Sequence, residues 1–218
     1  MAMAIKLPLY MQAWTLKNSI NLLGKPLVFL FGLSPALRLV WYGFYGGLTA
    51  NPIEFITRFT GVWAIVFLCL TLAITPLRIT TGWNSLLQYR RMLGLFCFFY
   101  ALLHFLIWAL IDQQLDLDAI LDDFYKRTFI TLGLAAFICL IPLAITSTKS
   151  MQRKLGRNWS RLHELIYPIA IFVVLHYYIH KAAKNSFGEV RIYIAILGAL
   201  LAWRLTRWLL RKVLIKAN

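Results

Sequence analysis

The sequence predicts an all-α integral membrane protein, a single bundle of six transmembrane helices. Composition is the first ground: 61% of the 218 residues are hydrophobic and only 14% charged, where a soluble domain carries about 25% charged residues. Pattern is the second. A hydrocarbon core about 30 Å thick takes roughly 20 mostly apolar residues per crossing. The chain offers six such stretches, at 27–45, 55–77, 92–111, 128–147, 163–182 and 190–212. So little sequence separates them that no soluble catalytic domain fits between. Residues 27–212 are therefore read as one transmembrane domain, preceded by an N-terminal segment 1–26 and followed by a tail 213–218.

The first span does the targeting. No compact apolar stretch ending in a small-residue cleavage site stands before residue 27, so no removed signal peptide is expected. Arg38 lies well inside this span, where a charge is costly. The second span is bounded by the helix breakers Asn51-Pro52 and Thr75-Pro76, which fall at or near its ends. The third follows Arg90-Arg91 and carries His104; the fifth opens near His163, holds Pro168 and carries His176 and His180. Cys69, Cys97 and Cys139 stand singly in apolar helices without the paired spacing of a disulfide or cluster site, and read as core packing.

A net charge of +15 would suggest nucleic acid in a soluble chain, but in a membrane chain the cations sort by side. Lys6, Lys17 and Lys25 precede the first span, and Arg78, Arg90 and Arg91 lie between the second and third. Lys149, Arg153, Lys154, Arg157 and Arg161 follow the fourth, and Arg204, Arg207, Arg211, Lys212 and Lys216 crowd the end of the chain. All of these belong inside, so both termini are read as cytoplasmic. Asp112, Asp116, Asp118, Asp122 and Asp123 put an acidic connection outside, against only Lys126 and Arg127. The basic excess then reflects orientation and anionic lipid, and no nucleic-acid partner is expected.

Ionisable side chains inside a bilayer are costly and point to function. His104 lies roughly 20 Å along the third span, at about 1.5 Å per residue, and His176 the same distance along the fifth. The two are level. Imidazoles from two helices can fill both axial positions of a haem, leaving no open site for oxygen and favouring electron transfer. The plainer reading is a hydrogen-bonded pair in a helix interface; two at one depth favour the haem. His163, at the inner end of the fifth span, is either a headgroup-level histidine or a ligand to an inner haem. Fourteen residues before His104, on nearly the same helix face, stands Arg90 rather than a histidine. Arg90 or Arg91 could pair with propionates or help ligate an inner iron. In a straight helix His163 and His176 lie some 140° apart, and rewinding at Pro168 would change that. His180 caps a propionate, lines an electron exit, replaces His176 as ligand, or sits in water. Arg38 snorkels outward or meets a propionate.

Arg90-Arg91-Met92-Leu93-Gly94-Leu95, then Thr146-Ser147, Met151-Gln152-Arg153-Lys154-Leu155-Gly156, Trp159, Leu162-His163, Tyr167 and His176 closely resemble the MsrQ family. These are the haem-binding membrane subunits of bacterial periplasmic methionine sulfoxide reductase systems, within the ferric reductase-like transmembrane superfamily. The resemblance runs from about residue 55 to the end and is most specific at 146–163. It implies a multi-pass inner-membrane protein binding haem b. Electrons would come from the quinone pool and go to a periplasmic molybdopterin-containing catalytic subunit, which repairs methionine sulfoxide in oxidised proteins. The family is also associated with FMN and a cytosolic flavin reductase, although no Gly-rich nucleotide fingerprint appears here. The basic inner loops, through Arg90, Arg91, Lys149, Arg153 or Lys154, are the expected phosphate contact. The family's haem ligands match His104 and His176, with His163 at the third histidine position. Relatives such as the NADPH oxidases place two histidines on each of two helices, so the arginine here departs from a conventional second haem.

The expected mechanism is an electron relay from quinol or reduced flavin, at the inner or midplane region, to the acidic outer surface. Phe105, Trp108, Tyr177 and Tyr178 either shield the porphyrin or pack against lipid and helices. The outer acids either steer a basic partner or form a solvated loop. Two other classes compete. A stand-alone cytochrome of the same fold would reduce ferric iron or oxygen itself. A transporter would use the histidines in a proton path, but neither an internal repeat nor a pair of broken helices is visible.

Overall fold

A computed structural model describes residues 9–182 and 187–217 of the chain. The described residues are helical, with no strand among them, and divide into two compact units between Gly47 and Leu48. Lys6 lies outside the described residues, as do the side chains of Lys17, Arg211 and Lys216.

The first unit is built on α1 (Leu9–Tyr45), which begins well before residue 27 and runs through Pro26 and Pro35. Its stretch Leu23–Tyr45 is apolar and long enough to cross a membrane. Arg38 is answered on its own helix: Nε donates to the Tyr42 hydroxyl at 2.5 Å, and the guanidinium stands 5.0 Å from that ring's centre. That is the one-turn spacing at which helix neighbours meet.

The second unit carries five further helical stretches long and apolar enough to span, at Pro52–Thr81, Asn84–Asp112, Thr128–Ile145, Arg157–Ala182 and Gly188–Leu210. α2 (Pro52–Thr81) starts on Asn51, whose side chain accepts from Glu54 N, with Pro52 in the first turn where its missing N–H costs nothing. It continues past Pro76 and stops at Gly82, a left-handed residue at φ 74°. α3 (Leu87–Leu106) runs on as a π-helical segment, Ile107–Asp112, which begins three residues past His104. A wider turn of this kind is uncommon and recurs at functional sites.

The two connections expected to be loops are helical. Asp116 caps α4 (Leu117–Lys126), accepting from Asp118 N and Ala119 N, so the acidic stretch forms an amphipathic helix leading into α5 (Thr128–Ile145). Thr148 caps α6 (Lys149–Leu155), and Gly156 at φ 49° turns the chain into α7 (Arg157–His163). α8 (Ile166–Ala182) follows after a two-residue break at Glu164 and Leu165, and α9 (Gly188–Ala217) closes the unit.

α2 pairs along α3, and α5 along α8, with α9 against α2 and α8. Phe67 and Tyr100 are fully buried and stack with ring centres 5.5 Å apart, while Phe105 and Phe137 stack at 4.9 Å across α3 and α5. Large apolar side chains such as Ile138, Ile171 and Leu209 face outward. In water that would be a liability; on spans of this length it is a surface for lipid.

Candidate functional site

α3 and α8 present one imidazole each to a common space. The His104 and His176 ring centres lie 6.1 Å apart with their planes at 85°. Each ring is anchored from behind. His104 Nδ1 lies 2.8 Å from the Thr57 carbonyl on α2, and His176 Nδ1 lies 2.6 Å from the Phe129 carbonyl on α5. A carbonyl only accepts, so each Nδ1 carries the proton and each Nε2 is left with a lone pair. That tautomer is the one that binds a metal, and the backbone bond fixes the ring's orientation.

Both rings line a cavity of about 1050 Å³. Its deep wall is apolar, with Leu68, Cys97, Leu140 and Ile169, and its polar groups, including Arg58, Asp112, Arg127 and His180, gather where α2 begins and α4 ends. The volume is just above the range of about 300–1,000 Å³ usual for small-molecule and cofactor pockets.

The arrangement fits a haem on three counts. An imidazole nitrogen bonds a metal at about 2 Å, and its ring centre lies about 1 Å behind it. Two imidazoles holding one ion from opposite sides thus have centres about 6 Å apart, which matches the pair. No group of three or more His, Cys, Asp or Glu side chains is placed to hold a bare metal ion among the described residues. Two axial imidazoles leave the remaining positions to a macrocycle. Finally, Trp108 lines the same cavity, and its indole N–H is the one buried side-chain polar atom without a partner among the described residues. A donor so placed suits a ligand that brings acceptors.

Of the aromatic residues expected around the ligands, Phe105, Trp108 and Tyr177 line the cavity. Tyr178 does not; it is exposed and packs on Phe187, 5.7 Å between ring centres. His180 lines the cavity and meets the Phe129 ring at 5.2 Å.

His163 is elsewhere, at the end of α7. Its ring stacks on Trp159 at 4.0 Å, its Nε2 meets Thr146 Oγ1 at 3.1 Å, and Trp159 Nε1 donates to the Thr146 carbonyl at 2.9 Å. These bonds tie α7 to the end of α5. Arg90 is near enough for its charge to be felt at His163. Arg90, Arg91, Lys149, Arg153 and Lys154 are all exposed, and none of them, nor His163, lines the cavity.

Three placements, two at the site and one in the packing beside it, are not apparent from the sequence. Gly61 and Gly133 lie directly against the two rings. Arg204, counted among the C-terminal cations, is half-buried, and its guanidinium donates to the carbonyls of Leu72 at 2.5 Å and Leu200 at 3.1 Å, tying α9 to α2. Its place in the middle of an apolar run is the available signal.

Residues 60–174 match the family described as "Ferric reductase like transmembrane component". Curated relatives carry the name "Protein-methionine-sulfoxide reductase heme-binding subunit MsrQ". The one from Ralstonia nicotianae is 53% identical over 81% of this chain and 82% of its own length. That of Bordetella pertussis is 48% identical over 86% and 91%, and that of Rhodospirillum rubrum 50% identical over 84% and 88%. No solved structure matches the chain. With half-identical relatives aligned over most of both chains, and the transmembrane match covering α3, α5, most of α2 and the first half of α8, the chain belongs to the MsrQ family of ferric reductase-like membrane proteins.

Proposed function

We propose that this chain is the haem b electron-transfer subunit of a methionine sulfoxide reductase system in a bacterial inner membrane. The observation that carries it is the facing pair His104 and His176, 6.1 Å apart at one cavity, each with Nδ1 on a backbone carbonyl. When bound between them, six-coordinate haem supplies one-electron transfer with no open position for oxygen. The protein's own part is to hold both imidazoles in the metal-binding tautomer, exclude water with Phe105, Tyr177 and the apolar deep wall, and leave the rings little freedom to reorganise.

Around that centre the finer reading follows the family resemblance. Electrons enter from the quinone pool or a cytosolic flavin reductase. They leave to a periplasmic molybdopterin-containing catalytic subunit, where methionine sulfoxide is reduced. The exit is read at the polar end of the cavity, beside α4 and its acids. At the opposite end, His163 with Arg90 and Arg91 is the candidate set for an inner haem, and Lys149, Arg153 and Lys154 join the two arginines as candidate FMN phosphate contacts. For His163 to bind iron through Nε2 it must give up its bond to Thr146.

The test is reduced-minus-oxidised spectroscopy with haem quantification on wild type beside His104→Ala, His176→Ala and His163→Ala. His104→Ala and His176→Ala should each lose the haem of the large cavity, and His163→Ala should leave that one intact. Normal six-coordinate haem in either of the first two variants would refute the assignment. Reduced wild type should also be reoxidised by the catalytic subunit plus methionine sulfoxide, and not by ferric chelates alone at a comparable rate. The reverse result favours a stand-alone ferric reductase.

A further inference from the structure

The two cavity histidines are held in the same way, and the likeness extends to residues that no axial bond involves. Each Nδ1 takes a carbonyl 47 residues earlier in the chain, Thr57 for His104 and Phe129 for His176. One helical turn beyond each carbonyl stands a glycine, Gly61 on α2 and Gly133 on α5. A Cβ at Gly61 would lie 3.0 Å from both Nδ1 and Cε1 of His104. At Gly133 it would lie 2.7 Å from Nδ1 and 2.9 Å from Cε1 of His176. Carbon atoms pack best at about 3.5–4.0 Å, so both imidazoles rest on bare backbone. Other helix glycines differ: a Cβ at Gly94 would meet Thr71 Cγ2 at an ordinary 3.7 Å, and at Gly198 nothing within 4 Å.

We propose that Gly61 and Gly133 are positioning residues for the haem-binding imidazoles. Each leaves a gap in the side-chain layer of its helix, so that the facing ring lies flush on the backbone. There it keeps Nδ1–H on the carbonyl one turn earlier and turns Nε2 into the cavity at a set angle. A methyl group at either position pushes the ring off its carbonyl, since the histidine's own helix is packed and its rotamer is fixed by the anchor. The inference rests on the haem reading but concerns the orientation of the ligands rather than the presence of the group.

Orientation has its own signature. The two ring planes stand at 85°. Axial imidazoles crossed near a right angle donate equally to the two iron d orbitals of π symmetry, which leaves those orbitals almost degenerate. A ferric low-spin centre then shows a strongly anisotropic EPR spectrum with one large g value. Parallel rings split the orbitals and give a compact rhombic spectrum instead.

The experiment is low-temperature EPR and redox potentiometry on the full-length, haem-loaded chain in detergent, comparing wild type with Gly133→Ala, Gly61→Ala and Gly94→Ala. Wild type should give the large-g signal. Gly133→Ala should lose it to a rhombic or high-spin signal with a shifted midpoint potential. Gly61→Ala should move in the same direction by less, because its encroachment is smaller, and Gly94→Ala should match wild type. Should Gly133→Ala fail to accumulate, Gly61→Ala against Gly94→Ala decides. Wild-type spectra and potentials in both Gly61→Ala and Gly133→Ala overturn the inference, as does an equal change in Gly94→Ala, which would mark a general packing effect. A haem-replete wild type with a compact rhombic spectrum also overturns it. A wild type with no Soret band sinks the haem reading itself and this inference with it.

Discussion

Asp123 is a buried acid in a connection otherwise full of exposed ones. Its carboxylate, 7% exposed, accepts from Gln113 Nε2 at 2.9 Å and pairs with Arg127 Nε at 3.2 Å. Those partners close the turn that follows the π-helical segment, where Gln114 and Leu115 stand at φ 50° and 60°, uncommon for residues with a Cβ. Asp123→Ala strips an acceptor from both, and should cost about 1–3 kcal/mol, read as a lower melting temperature in detergent. Asp122→Ala removes an exposed pair with Lys126 and should cost under about 1 kcal/mol, since both side chains are more than half exposed. Equal losses would contradict this account of the turn. Sequence alone does not separate Asp123 from its neighbours, because its burial comes from a partner ten residues away. The histidine pair is legible, since an ionisable group in an apolar run is rare enough to single out. The two glycines are not, because a glycine in such a run reads as packing. Yet Gly61 precedes His104, and Gly133 precedes His176, by the same 43 residues, so the repeat stands in the chain once the histidines are chosen.

The fifth span shows why element boundaries are harder to read than elements. Pro168 suggests that any rewinding between His163 and His176 centres there. The chain instead breaks at Glu164 and Leu165, and Pro168 lies in the first turn of α8, where its missing N–H is no loss. A residue at 168 with an N–H would donate to the Glu164 carbonyl; that carbonyl takes Tyr167 N at 3.0 Å instead, a tighter turn. The straight-helix angle between His163 and His176 therefore does not apply. α4, α6 and α7 are each too short to register as a span, and the caps Asp116 and Thr148 are outweighed in the sequence by the charge around them. One joint carries a testable cost. Gly156 holds φ 49° and ψ −122°, a region closed to residues with a Cβ, while Gly82 at φ 74° and ψ 1° is in the left-handed helical region that they visit at lower cost. Gly156→Ala should thus destabilise by about 1–3 kcal/mol and Gly82→Ala by about 1 kcal/mol. Thermal unfolding of both variants in one detergent checks the order, and a reversed order would show that the α6–α7 joint relaxes freely.

For the whole molecule, the property with the largest consequence is which end of the cavity faces which compartment. The six spans are legible because a run of about 20 apolar residues is what a bilayer crossing demands and little else does. Length and apolarity carry no direction, so sidedness rests on charge. The cations of α6 and α7 and the acids of α4 lie at opposite ends of α5, which separates them by one crossing. By the positive-inside rule, the excess of Lys and Arg would put the first end in the cytoplasm. Six crossings would return the C-terminus to the side of the N-terminus, and the cavity's polar end, beside Lys126 and Arg127, would open outward. Single cysteines can settle this. Tyr125 on α4 is 88% exposed, and Arg153 on α6 is exposed, so Tyr125→Cys and Arg153→Cys each put a thiol in water without disturbing a core contact. Cys69 and Cys97 are buried and Cys139 is half-buried within a span, so the native thiols contribute little background. A charged, membrane-impermeant maleimide added to spheroplasts should label Tyr125→Cys at once and Arg153→Cys only after the membrane is broken. The opposite order would place the acidic helix inside, put the cavity's mouth in the cytoplasm, and rule out direct delivery from that mouth to a periplasmic catalytic subunit.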